Sequence, residues 1–469
     1  MKVKLEEVER YERHVKMRLA FRFGVITVTD ATQAVIKVRL SLTDGRTSHG
    51  VAAETLAAKW FEKSPEFTDA QNLDQLRQSL DLAIELYRAQ GFDNAFDLFA
   101  GSYAEQQQRG AAQGLNPLVA AYGPALLDRA ILDALGRATG KSFAAMIAGN
   151  LPGIRATSLT PDVTDAELAR FLADLKPEQS IDVRHTVGLV DPLTAADRPA
   201  SERVNDGLPE TLEEVVSYYR GRYYKLKVGG DIEADLERLG RIAAVLDASG
   251  DYRATLDGNE QYDDVEGIVE LWRKVEETAA LAKLVKSTLF IEQPIKRAVA
   301  LSRSVEPLAR LRPVIIDESD GELSSFPAAL KLGYAGVSSK NCKGFYKSIL
   351  NAARVANLGA GHFMSAEDLT TWPGVSVQQD LALVSLLGMT HVERNAHHFI
   401  DGMSFAPEGE QKAFVAAHPD LYEKQDGKPA RLKARGGKLA LGSLAGPGFA
   451  VGADMDFTSM KPMVSGAAT

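Results

Sequence analysis

Residues 223–260, YYKLKVGGDIEADLERLGRIAAVLDASGDYRATLDGNE, decide the fold. The opening YYKLKVGG reads as a strand: Tyr, Leu and Val favour a pleated chain, and Gly229-Gly230 ends it. DIEADLERLGRIAAVLDASG reads as a helix and YRATLDGNE as a second strand, which makes a strand–helix–strand unit. Side chains alternate along a strand, so Lys225 and Lys227 point to the same face. Two buried ammonium groups side by side need carboxylates close by.

The unit repeats in both directions. SIDVRHTVGLVD precedes it as a first strand, with TLEEVVSYYRGR as the helix between. TLFIEQP, PVIIDES, GVSSKNCKG, HFMSAEDL and THVERN follow as strands four to eight, with helical segments between them. Eight strands at spacings of about 25–35 residues suit a closed (β/α)8 barrel. An open doubly wound sheet is the competing arrangement; the lack of a Gly-rich phosphate turn after the first strand and the number of units favour closure.

Before the repeat, HVKMRLAFRFGVITVTDATQAVIKVRLSLTDGRTSHGVAAE alternates, with breaks at TDG and near SHG, and reads as an antiparallel meander. NLDQLRQSLDLAIELYRAQ and PALLDRAILDALGRATGKSFAAMIAG then carry apolar residues at three- and four-residue spacing, the mark of helices. The expected class is therefore α/β: a TIM-type barrel over 156–398 and an N-terminal α+β capping domain over 1–155. A C-terminal segment over 399–469, Gly-rich in GGKLALGSLAGPGFAVGADMDF, is expected to return to the cap. PLTAADRPASERVNDGLPE, after the first barrel strand, is expected to be a mobile insertion.

Composition narrows the function. With 45% hydrophobic and 25% charged residues the chain reads as an ordinary globular protein, and no apolar run is long enough to span a membrane. The charged start MKVKLEEVERYERHVKM lacks the apolar centre of a secretory signal. One cysteine, Cys342, excludes an intrachain disulfide and fits a reducing compartment, so the cytoplasm is expected. A net charge of −9 without basic runs argues against nucleic acid as a partner.

The ionisable residues collect at one end of the expected barrel. Lys225 and Lys227 close the second strand, Asp257 and Asn259 the third, Glu292 the fourth, Asp317 the fifth, and Lys340 the sixth. Glu367 or Asp368 closes the seventh; which of them faces inward depends on register. These are the C-terminal strand ends, where barrel active sites form. Three acids on neighbouring strands repel unless a cation joins them, and an all-oxygen set suits a hard ion: Mg²⁺ first, Mn²⁺ second. A lysine on either side of a metal-held substrate suits proton abstraction next to a carboxylate, with burial and the cation lowering the lysine pKa.

Plainer readings apply elsewhere. His185 is expected in a structural core or loop, and His397-His398 in an exposed loop. Cys342 is expected to pack as a small hydrophobe, and Lys343 to start a helix or meet solvent.

These residues resemble the enolase superfamily, in its muconate-lactonizing-enzyme-like (mandelate racemase/muconate lactonizing enzyme) group. The likeness runs through FRFG, LLDRAILDALGRATGKSF, KLKVGG, LDGNE, IEQP, IDES, SSKNCKG and GPGFAVG. It implies Asp257, Glu292 and Asp317 as metal ligands and Lys227 and Lys340 as bases on opposite faces. It also implies Lys225 near the substrate carboxylate and Asn259 and Glu318 beside the ligands. The chain departs from dipeptide epimerases at the eighth strand, where HVERN, with Glu393 and Asn395, stands in place of an Asp-x-Asp motif. It departs from the mandelate-racemase subgroup in having Lys340 on the sixth strand and His362 at the wrong end of the seventh. The expected function is a Mg-dependent racemase or epimerase acting through a metal-stabilised enediolate. Cycloisomerisation and β-elimination share its first step. A Schiff-base aldolase or a non-catalytic small-molecule-binding barrel are the readings from other classes. A small carboxylate substrate and a homo-oligomeric state are expected, without nucleic acid or membrane.

Overall fold

The computed structural model describes residues 1–23 and 26–464. Gly24 of the FRFG stretch and the last five residues of the expected C-terminal segment lie outside the described residues. The chain opens with strands β1 (Val3–Phe23), β2 (Ile26–Leu42) and β3 (Thr47–Thr55), paired antiparallel in that order. β1 starts at Val3, well before the expected His14. At its start Lys4 and Glu6, partly exposed, alternate with the buried Val3 and Leu5. The TDG break is the turn between β2 and β3, but SHG lies inside β3. Gly50 belongs there because the helix Tyr122–Thr139 lies directly on the strand: a Cβ at residue 50 would overlap Ala130 and Ala134 backbone atoms. That helix is buried on every side as far as Gly136, and Gly140 ends it at φ +64°. The helix Asp69–Ala89 begins with a capping box between Thr68 and Gln71.

Eight parallel strands follow among the described residues: β4 (Ser180–Val187), β5 (Tyr223–Lys227), β6 (Arg253–Asp257), β7 (Thr288–Glu292), β8 (Val314–Ile316), β9 (Gly336–Ser339), β10 (Phe363–Ala366) and β11 (His391–Arg394). Each pairs with the next, and β11 pairs back with β4 through Glu393↔Arg184, which closes the barrel. Helices fill the outside, among them Ile232–Ala248, Val265–Glu277 and Phe345–Leu358, each with its apolar stripe turned inward.

Residues 192–210, expected to be mobile, are tied down. Arg18 on β1 grips Asp206 (2.5 and 2.8 Å) and the carbonyls of Pro209 (3.1 Å) and His398 (2.8 Å). Arg198 pairs with Glu210 at 2.6 Å, and Arg241 with Asp197 at 2.5 Å. Polar composition suggested a free loop, but these charges find partners on distant elements.

After the barrel come a short hairpin of β12 (Tyr422–Glu423) and β13 (Arg431–Leu432), then β14 (Lys438–Ala440), antiparallel to the start of β4. Phe449 stacks on Phe143 with centroids 3.9 Å apart, and β15 (Lys461–Pro462) pairs with β1 at Tyr11 and Glu12. Among the described residues no helix is long and apolar enough to cross a membrane.

Candidate active site

The pleat puts Lys225 and Lys227 on the inner face of β5, and parallel pairing sets Lys227 beside Asp257 and Asp257 beside Glu292. Asp317 follows β8 and Lys340 follows β9. The strand ends thus bring every residue of the expected site into one buried cluster beneath the cap.

Lys225 sits at its centre. Its Nζ lies 2.8 Å from Asp257 Oδ2, 2.8 Å from Glu292 Oε2, 2.8 Å from Glu367 Oε2 and 3.0 Å from Glu393 Oε2. Lys227 Nζ reaches Asp257 Oδ2 at 2.5 Å and Asn259 Oδ1 at 2.6 Å. Across the barrel, Lys340 Nζ meets Asp317 Oδ2 at 2.6 Å and stands 4.3 Å from the centroid of the Trp60 ring, which the cap supplies. Glu318 accepts from Asn259 Nδ2 (3.2 Å) and pairs with Lys63 (3.3 Å).

The register question is settled by contacts. Glu367 enters the cluster through Lys225 and also pairs with Arg184, whereas Asp368 pairs with Arg394 (3.1 Å) and accepts from the backbone N–H of Asn395 (2.8 Å) at the cavity wall. Arg184, Thr186 and Glu393 complete the floor. In the sequence Arg184 and Thr186 are marked only by the inward parity of the strand SIDVRHTVGLVD, since neither belongs to the motifs that carry the family likeness.

Three expectations are corrected. Lys343 is buried, bonded to Ser338 Oγ at 2.6 Å and paired with Asp317 and Asp320, because the turn after β9 folds it back under the barrel mouth. His397 and His398 are buried too. They pack with His185 outside the barrel wall, on the opposite parity of β4 from Arg184, where Arg18 of the cap covers them. Finally, in the metal-free protein burial does not pull Lys225 and Lys340 down in pKa. Burial alone would lower Lys340, but Asp317 outweighs it, and the four carboxylates do the same for Lys225; both are held above the ordinary lysine value.

At Asp257, Glu292 and Asp317 burial raises the carboxyl and the lysines oppose it. Lys340, Lys343 and Lys225 prevail at Asp317, and Lys225 and Lys227 at Asp257, so both are lowered. Glu292 is different. Burial, Asp257 and Glu367 push it up against Lys225, and its Oε2 receives no well-aligned hydrogen bond although Lys225 is near. Among the described residues no three acids, histidines or cysteines are gathered as a finished metal shell, since Lys225 draws Asp257 and Glu292 while Lys340 draws Asp317. The donor chemistry nonetheless fits a hard cation: oxygens only, on three consecutive strands, with an oxygen on the middle one that no aligned donor serves.

Above the cluster lies a cavity of about 330 Å³. Lys225, Lys227, Lys340, Asn259, Glu393 and Asn395 line it from the barrel, and Met17, Phe21, Leu56 and Trp60 from the cap.

No protein-family model matches the sequence, and no curated protein matches it. Solved structures do match in fold. Dipeptide epimerase from Enterococcus faecalis V583, complexed with Mg and the dipeptide L-Leu-L-Tyr, aligns over 96% of this chain and 100% of its own at 16% identity and a TM-score of 0.59. For 2-chloromuconate cycloisomerase from Rhodococcus opacus 1CP the values are 97%, 98%, 15% and 0.61. For a mandelate racemase/muconate lactonizing enzyme from Bordetella bronchiseptica RB50 they are 97%, 98%, 17% and 0.60. At these identities the likeness is one of fold, and it extends from end to end: the chain has the capped-barrel fold of the enolase superfamily's mandelate racemase/muconate lactonizing enzymes.

Proposed function

We propose that the protein abstracts the α-proton of a carboxylate substrate and returns a proton on the opposite face, as a racemase or epimerase. The observation that carries this is the placement of Lys227 and Lys340. They come from strands four apart in an eight-strand ring and line the same cavity from opposite sides, above an acid trio. In this reading Asp257, Glu292 and Asp317 hold a magnesium ion, as the donor chemistry allows. When bound, the cation supplies positive charge that makes the α-proton of a nearby carboxylate more acidic. Lys227, steadied by Asn259, holds or accepts the proton on one face, and Lys340, between Asp317 and Trp60, serves the other. Lys225 anchors the acids and offers its charge to the substrate carboxylate. Trp60 and Phe21 roof the site and limit water. Cycloisomerisation and β-elimination begin with the same proton removal and need only one of the two lysines. A Schiff-base mechanism fits less well, because its lysine needs no metal and three acids on consecutive strands would have no part in it.

Deuterium uptake from D₂O by a mixed library of chiral carboxylates, with Mg²⁺ and mass detection, tests the reading. Wild type should label at least one acid, and Lys227→Ala and Lys340→Ala should each lose exchange with one stereoisomer and keep it with the other. Exchange in no member of the library, or loss of the same isomer in both variants, overturns the two-lysine arrangement.

A further inference from the structure

The piece of the cap that carries Trp60 is gripped by a barrel side chain. Trp60 belongs to the short helix Ala58–Phe61, and its ring covers Lys340 although the ring's polar atom, Nε1, has no hydrogen-bond partner. Nothing polar on the ring therefore fixes it over the ammonium, and its place depends on the backbone beneath. Arg297 holds that backbone from the barrel. It donates from Nη2 to the Trp60 carbonyl (2.9 Å) and from Nη1 to the Phe61 carbonyl (2.9 Å). A guanidinium can bridge two successive carbonyls because its donors form a rigid planar fork.

Arg297 is aimed in its turn by Glu260. Its Nε and Nη2 each meet one oxygen of that carboxylate at 2.8 Å, and its backbone N–H donates to Glu260 Oε1 at 2.7 Å. Glu260 is buried in the turn after β6 and adopts φ +68°, a left-handed conformation unfavourable for a residue with a Cβ. Such strain persists where surrounding contacts over-determine it. Here the contacts are the bidentate pair with Arg297, a second ion pair with Lys63 of the cap (2.5 Å), and the Tyr262–Ile295 bridge that joins the loops after β6 and β7. Lys63 lies three residues past Trp60, whereas Arg297 ties the chain at Trp60 itself.

We infer that Arg297 is a positioning residue for proton transfer at Lys340: it anchors the Trp60 backbone so that the ring stays over that ammonium. It has no such part at Lys227, whose partners Asp257 and Asn259 come from β6 and the turn after it. The inference rests on the proton-abstraction reading for the chemistry that Lys340 performs.

Arg297→Lys tests it, because a lysine can answer Glu260 but cannot span that carboxylate and two carbonyls together. The full chain is labelled with 5-fluorotryptophan; it has three tryptophans, Trp60, Trp272 and Trp372, and Trp60→Phe assigns the resonance of interest. In Arg297→Lys, checked for native circular dichroism, the Trp60 fluorine signal should shift or broaden while those of Trp272 and Trp372 stay in place. Exchange is then followed in D₂O with Mg²⁺ and the library of chiral carboxylates. The isomer whose exchange Lys340→Ala abolishes should exchange about a hundredfold more slowly, with KM little changed. The isomer that depends on Lys227 should keep its rate within about twofold. An unmoved Trp60 signal, equal loss for both isomers, or a moved signal with no loss for either overturns the inference. A moved signal with no exchange by wild type in any library member would instead sink the proton-abstraction reading and leave Arg297 as the anchor of the Trp60 segment.

Discussion

Lys225 Nζ lies 2.8 Å from Glu292 Oε2, an oxygen that receives no well-aligned hydrogen bond from any neighbour. The pair shows how the site is balanced. One ammonium serves four carboxylates, with help at the edges from Arg184 on Glu367 and from Lys227 on Asp257. Glu292, in the middle strand, is the acid left least satisfied, and its carboxyl is raised in consequence.

Lys225→Met should destabilise the fold by about 3–5 kcal/mol, the penalty for stranding buried charge after one partner is removed. The loss should be larger at pH 8 than at pH 5. A carboxyl raised in the folded state, as Glu292 is, leaves stability intact below the unfolded carboxylate value and erodes it as pH climbs through the folded one. Urea unfolding at the two pH values checks this; an equal loss at both would show that Lys225 does not neutralise the cluster.

Glu292→Gln separates the acid's two burdens. Metal-free protein should unfold at the same temperature as wild type or higher, because a raised, buried carboxyl has become a neutral amide of the same shape. Magnesium at a hundred times its dissociation constant should stabilise wild type by about 2.7 kcal/mol and the variant far less. Calorimetry in EDTA and in Mg²⁺ reads both effects, and a full magnesium shift in the variant would remove Glu292 from the ligand set.

Arg18→Ala should loosen the insertion. The guanidinium ties the cap hairpin to Asp206 and to the His398 carbonyl. Limited proteolysis should cut within 192–210 about tenfold faster, equivalent to local opening made easier by ~1.4 kcal/mol. Unchanged cleavage would mean that Arg198 with Glu210 suffices to hold the segment.

The buried histidines should make the fold sensitive to acid. Burial lowers His185 and His391 to about 3 and holds His397 and His398 well below the ordinary histidine value. Below about pH 6.5 the unfolded chain binds protons at these positions and the folded chain does not, so stability falls as pH falls. Denaturant titrations between pH 7 and 5 should show this slope, and His185→Gln should flatten it by about one proton's worth, ~1.4 kcal/mol per pH unit. A slope unchanged by the substitution would place the acid sensitivity elsewhere.

The sequence by itself determined the barrel and the expected site. Strand–helix alternation repeated eight times admits few closed arrangements, and in parallel strands the last residues all emerge on one rim. Hence Lys225, Lys227, Asp257, Glu292, Asp317 and Lys340 could be placed together from their position in each repeat. Only the tertiary structure decided how they pair. Which carboxylate Lys225 serves, whether Glu367 or Asp368 turns inward, and that Lys343 folds under the mouth all depend on distances between strands far apart in sequence. The same holds for His397, His398 and residues 192–210, whose polar composition reads as solvent-facing until Arg18, some 190 residues away from Asp206, closes over them. Local pattern sets the direction of a side chain, whereas its partner is set by what long-range packing brings opposite it.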